Sequence, residues 1–63
     1  MPNESGSKPK FAIDDLVVYL ATGRAGVVTG IRRIVNGKRF IRVRLESGEV
    51  LVRPEEEWEA VKL

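Results

Sequence analysis

Six residues of this 63-residue chain have types and spacing that could do chemistry: Arg24, Arg32, Phe40, Arg42, Arg44 and Arg53. Each guanidinium is permanently charged. Its fork of donors matches phosphate or carboxylate oxygens and stacks on flat rings. An aromatic ring among such cations offers a face for a nucleobase. Phe40, Arg42 and Arg44 are spaced two apart, so on a strand their side chains leave from one side. The chemistry this predicts is capture of a polyanion, with affinity that falls as salt rises. The competing reading leaves the arginines solvated and packs Phe40 under the N-terminal segment or a partner chain.

Little else in the chain can act on a substrate. There is no His and no Cys, which removes the usual general base, the thiol nucleophile and the preferred zinc ligands. Asp14 and Asp15 are adjacent, so at a strand entry they point to opposite faces and form no acid–base pair. Tyr19 has no candidate base, and Ser47 belongs to a turn. Glu55, Glu56 and Glu57 could hold a hard cation, but acids at the start of a helical turn are accounted for by its dipole. A lone Trp58 in so small a core is expected inside it. Arg24 lies between Gly23 and Gly26 with no phosphate-loop or dinucleotide pattern around it, and is expected as an exposed arginine at a loop tip. The sequence therefore predicts no enzyme, no cofactor, no metal and no small-molecule substrate. The one route to catalysis is a site shared between subunits of a symmetric oligomer.

Net charge is only +2, with 11 basic and 9 acidic residues, but the charges are segregated. From Arg24 to Arg53 there are eight basic residues (Arg24, Arg32, Arg33, Lys38, Arg39, Arg42, Arg44, Arg53) against Glu46 and Glu49. From Pro54 onward four glutamates face only Lys62. Such polarity predicts one face for an anionic partner. Interspersed solvated charge of the heat-adapted kind is the alternative. No apolar run is long enough to span a membrane, and no apolar leader opens the chain. A cytoplasmic location is expected.

The elements that must position these residues read as strands. Residues 1–10 contain Pro2, Asn3, Ser5, Gly6, Ser7 and Pro9, and are expected to be a disordered tail; its Lys8 and Lys10 could add nonspecific attraction to an anion. The domain is expected over 11–63. Leu16 to Leu20 is a first β-branched strand, followed by a glycine loop at 22–26. Gly26 to Ile34 is a second strand, in which Gly30 suggests a bulge or sharp bend that curls a sheet into a barrel. Lys38 to Leu45 is a third, strictly alternating strand. Parity arguments predict a three-residue loop, Val35-Asn36-Gly37, which pairs Ile31 with Ile41, Thr29 with Val43 and Val27 with Leu45. On the other side, Arg32 then faces Phe40, Gly30 faces Arg42 and Val28 faces Arg44. A two-residue loop at Ser47-Gly48 pairs Leu45 with Val50 and Val43 with Val52, leaving Leu51 and Arg53 outward. Pro54 ends the fourth strand, Glu55 to Glu57 form one 3₁₀-like turn, Trp58 covers one end, and Ala60, Val61 and Leu63 make a last strand. The fold class predicted is all-β: an SH3-like five-stranded small barrel with one 3₁₀ or helical turn before the last strand.

Asp15-Leu16-Val17-Val18-Tyr19 followed by Thr22-Gly23-Arg24-Ala25-Gly26-Val27-Val28-Thr29-Gly30-Ile31 resembles the opening of KOW-type SH3-like modules. Val50-Leu51-Val52-Arg53-Pro54 and Glu57-Trp58-Glu59-Ala60-Val61 resemble their closing segment. The layout is also similar to the polymerase-interacting domain of CarD-type regulators, and to a small archaeal family of uncharacterised proteins. One departure is the absence of the usual Gly before the first strand's Asp, where this chain has Ile13-Asp14-Asp15. The KOW resemblance implies binding to RNA, ribosomes or transcription machinery, and the CarD resemblance implies binding to RNA polymerase. The expected function is a non-catalytic module that binds RNA or DNA, or a transcription or translation complex, through Arg32, Phe40, Arg42, Arg44, Arg53 and Arg24. The alternative is a protein-interaction or homo-oligomeric module in which Phe40, Leu51 and Ile34 form an apolar contact.

Overall fold

A computed structural model describes residues 9–61. Most of the expected tail and the expected Leu63 end of the last strand lie outside the described residues. The elements are β1 (Leu16–Tyr19), β2 (Arg24–Val35), β3 (Lys38–Leu45), β4 (Val50–Pro54), a 3₁₀ turn (Glu55–Glu57) and β5 (Trp58–Ala60). All pairings are antiparallel, in one five-stranded sheet of order β4-β3-β2-β1-β5. The all-β class and the single 3₁₀ turn before the last strand agree with expectation. The sheet order begins and ends on β4 and β5, and the sheet is not closed between them.

One face is apolar and folds around Phe11, Val17, Val28, Ile41, Val43, Leu45 and Trp58, all buried, with Tyr19, Ile31 and Leu51 packed against them. Trp58 lies in this core, its ring 4.7 Å from that of Tyr19. Lys10 departs from the tail reading. Its backbone N–H donates to Glu55 Oε2 at 3.0 Å, and its ammonium sits 5.4 Å from the ring of buried Phe11. The segment after Phe11 is stitched to β2 by Asp14 N–H to Val28 O and Val28 N–H to Asp15 O. The Asp15 carboxylate accepts from Ala12 N–H and so serves a turn.

The two hairpin loops are the reverse of those expected. Val35 pairs with Lys38, so the first loop is the two-residue Asn36-Gly37. Both residues have positive φ, 52° and 78°, the mirror-image turn whose twist suits a hairpin. The second loop has three residues, Glu46-Ser47-Gly48: Leu45 N–H donates to Glu49 O, and Gly48 takes φ 97°.

Parity in the first hairpin is restored by two bulges rather than by the loop. Ile34 faces Arg39, Ile31 faces Ile41 and Val28 faces Val43, with register shifts between Ile31 and Ile34 and between Val28 and Gly30. The expected pairs Ile31 with Ile41 and Gly30 with Arg42 stand. Those of Thr29 with Val43, Val27 with Leu45 and Val28 with Arg44 do not, because each bulge inserts one residue. Val28, Ile31 and Ile34 therefore recur every three residues along β2. In the second hairpin the three-residue loop moves the register by one, so Val43 faces Leu51 and Ile41 faces Arg53. Leu51 turns toward the core, while Val50 and Val52 turn out and stay 50% and 44% exposed.

Candidate functional site

The sheet face opposite the core positions the candidate residues. One row across four strands reads Leu16, Val27, Arg44, Val50, and the next reads Gly30, Arg42, Val52. Arg42 and Arg44 are exposed, each flanked by valine on β4. Arg42 lies over Gly30: a Cβ built there would meet Arg42 Nε at 3.4 Å. The same Nε donates to Thr29 Oγ1 at 3.3 Å, and that hydroxyl donates to the Arg42 carbonyl at 3.3 Å. The side chain thus lies along the sheet over Gly30, from its Cβ to Nη2, with Nε held by Thr29.

The bulge between Ile31 and Ile34 sets two arginines against one position of β3. Arg32 and Arg33, with Ile31, Val35, Phe40 and Val52, line one shallow depression. Phe40 is half-buried there rather than displayed. Arg33 was not among the expected site residues. Strict alternation from Arg32 sends Arg33 to the core side, and the bulge sets it beside Arg32 instead. The threefold recurrence of Val28, Ile31 and Ile34 is the sequence signal that could have found it, since a period of three in a strand needs extra residues.

Two expected site residues are separated from this face. Arg53 faces Ile41 on the core side of the ladder, and its Nε and Nη2 donate to the Glu57 carboxylate at 2.9 and 3.1 Å. The Tyr19 hydroxyl donates to the same carboxylate at 3.1 Å. This pairing raises the Arg53 pKa above its ordinary value, chiefly through the hydrogen bond from Arg53 to Glu57. The same bond lowers the Glu57 pKa below the usual carboxylate range. Arg24 opens β2 at the far end of the sheet and lines a hollow with Ala25, Leu45, Glu46 and Ser47.

The acids of the 3₁₀ turn divide the cations into two sets. Lys38 Nζ lies 3.0 Å from Glu56, Arg39 Nε 4.0 Å from Glu55, and Arg53 pairs with Glu57. Among the described residues, Arg24, Arg32, Arg33, Arg42 and Arg44 have no carboxylate within salt-bridge distance. Glu55, Glu56 and Glu57, considered above as a cation site, are each committed to a basic side chain. The arrangement can receive an anion on the outward face of β2 and β3, where arginine is uncompensated. No helix of the described residues is long and apolar enough to cross a membrane.

No protein-family model, no curated protein and no solved structure matches the chain.

Proposed function

We propose that this protein is a non-catalytic binding module whose outward β2–β3 face, carrying Arg32, Arg33, Arg42 and Arg44 beside Phe40, binds the phosphate backbone of a nucleic acid, alone or within a transcription or translation complex. The observation that carries this reading is the division of the cations. The acids of the 3₁₀ turn engage Lys38, Arg39 and Arg53, and the arginines of the outward face have no carboxylate partner among the described residues. A solvated surface optimised for stability alone would be expected to intersperse the signs. The strand order and the 3₁₀ turn before β5 support reading the sheet as an SH3-like small barrel, the layout that the KOW-type resemblance implies.

The test is a fluorescence-anisotropy titration of labelled oligonucleotides between about 50 and 200 mM salt. If each outward arginine neutralises one phosphate, log K falls against log salt with a slope of about −3 to −4. No binding at the lowest salt, or binding without salt dependence, refutes the proposal.

A second reading is favoured by one observation: Leu16, Val50 and Val52 are exposed apolar residues on that same face. They fit a protein partner or a second copy of the chain. Sedimentation velocity across a concentration series, with Val52→Lys as the comparison, reads this directly. Self-association lost in the variant supports it.

A further inference from the structure

The polyanion reading leaves open which nucleic acid the face takes. The geometry points to double-stranded B-form DNA, and we propose that the β2–β3 ribbon lies in its major groove. The inference rests on that reading and deepens it.

Three features of the ribbon argue for it. First, β1 pairs only with residues 24–27 of β2, and β4 pairs only with residues 40–44 of β3. From Arg32 to Arg39 the hairpin therefore extends as two strands with no third strand beside them. Paired strands lie about 4.8 Å apart, and the major groove of B-DNA, about 12 Å wide, admits such a ribbon with its side chains. The major groove of A-form RNA is too narrow and deep for this.

Second, the outward face lacks what single strands require. Binding of splayed bases uses a series of exposed aromatic platforms. Among the described residues the outward face has only Phe40, and it is half-buried between Arg32, Arg33 and Val52. Phe11, Tyr19 and Trp58 belong to the core side. What the face does present is guanidinium groups with aliphatic neighbours, a surface suited to phosphates and groove walls rather than to stacked bases.

Third, the cations of the ribbon fall into two groups. Lys38 and Arg39 are paired with Glu56 and Glu55. Arg32 and Arg33 enter the bulge together, line the depression around Phe40 and have no carboxylate partner among the described residues. A ribbon entering the groove with this bulge leading brings two uncompensated guanidinium groups to the phosphates at once.

The experiment compares four probes of one length and base composition: duplex DNA, single-stranded DNA, duplex RNA and single-stranded RNA, with heparin as a structureless polyanion. Duplex DNA is expected to bind at least about tenfold more tightly than each of the others at equal salt. The double variant Arg32→Ala/Arg33→Ala, checked for an unchanged melting temperature, is expected to lose about tenfold on duplex DNA and far less on single strands. Netropsin, which fills the minor groove, is expected to leave binding intact. Equal affinity for all probes, preference for a single strand or RNA, or displacement by netropsin overturns the groove assignment while the polyanion reading stands. Absence of binding to every probe overturns both.

Discussion

Replacing Gly26 by alanine adds one methyl group where the sheet has no room for it. Gly26 lies in β2 between Val17 of β1 and Leu45 of β3, on the core side. A Cβ there would stand 2.6 Å from Val43 Cγ1, 2.7 Å from the Arg44 carbonyl oxygen and 3.1 Å from Leu45 Cδ2. Optimal carbon contacts are about 3.5–4.0 Å, so neighbours must retreat by roughly 1 Å. Val43 is fully buried and stiff about χ1, and the carbonyl is backbone in a paired strand. Overpacking of this kind costs about 1–3 kcal/mol, against which the stiffer unfolded chain returns about 0.4–1 kcal/mol. The net loss is about 1–2 kcal/mol, from a domain of this size holding about 3–8 kcal/mol in all. At about 4–8 °C per kcal/mol, the melting temperature should fall by roughly 5–15 °C. Gly30→Ala is the comparison. Its Cβ would meet only the exposed Arg42 side chain, at 3.4 Å and beyond, so its melting temperature should move by less than about 3 °C. Thermal unfolding followed by circular dichroism reads both. Equal shifts for the two variants, or Gly26→Ala within about 3 °C of the parent, would refute the register that places Gly26 against β3.

Other expectations bear on the turn, the ion pair and the two faces. Gly37→Ala places a side chain at φ 78° and should cost about 1–2 kcal/mol, measured by chemical denaturation, although nothing crowds the site. Glu57 has a depressed pKa in the fold, so its contribution is present above the ordinary carboxylate pKa and is lost as pH falls through the lower folded value. Melting temperature should therefore decline at acid pH, and Glu57→Gln should flatten that limb and lower the neutral-pH plateau. Arg42→Glu/Arg44→Glu should abolish polyanion binding, while Arg53→Ala changes it less than about twofold, because Arg53 is turned from that face and held by Glu57. Loss of affinity in Arg53→Ala equal to that of the double variant would show that the faces are not separate. Ile41→Ala, at a fully buried position, should cost about 2–5 kcal/mol and leave little folded protein by circular dichroism.

The elements were legible because each is a local property. Alternation in Lys38 to Leu45 produces β3 with the expected bounds, and Pro54 followed by three glutamates produces the 3₁₀ turn. Arg32, Phe40, Arg42 and Arg44 were legible as a group for the same reason. Which loop has two residues and which has three is also written locally, in Asn36-Gly37 and in Gly48. Strict two-residue parity, applied to a strand that carries two bulges, makes the first loop one residue too long, and the assumption that Val50 and Val52 face the core makes the second one residue too short. Gly30 reads as a bulge or bend, and a bulge lies between Val28 and Gly30; the close backbone approach is at Gly26, which depends on what β3 places against it.

The amino-acid sequence by itself determined the strands, the turns, an apolar set large enough for one small core, and the segregation of arginine from glutamate along the chain. Those follow from residue-by-residue preference and from order in the sequence. The turn residues limit the register at each hairpin end, and only the tertiary structure decided where β2 takes its two bulges and which faces result. The bulges bring Arg33 to the outward face beside Arg32, and the three-residue loop sends Arg53 to the core side, where Glu57 engages it. The reason is that a one-residue shift costs a strand nothing in local preference yet exchanges its two faces. The packing of Val28, Ile31, Ile41 and Val43 against one another selects among the registers that local preference leaves equal.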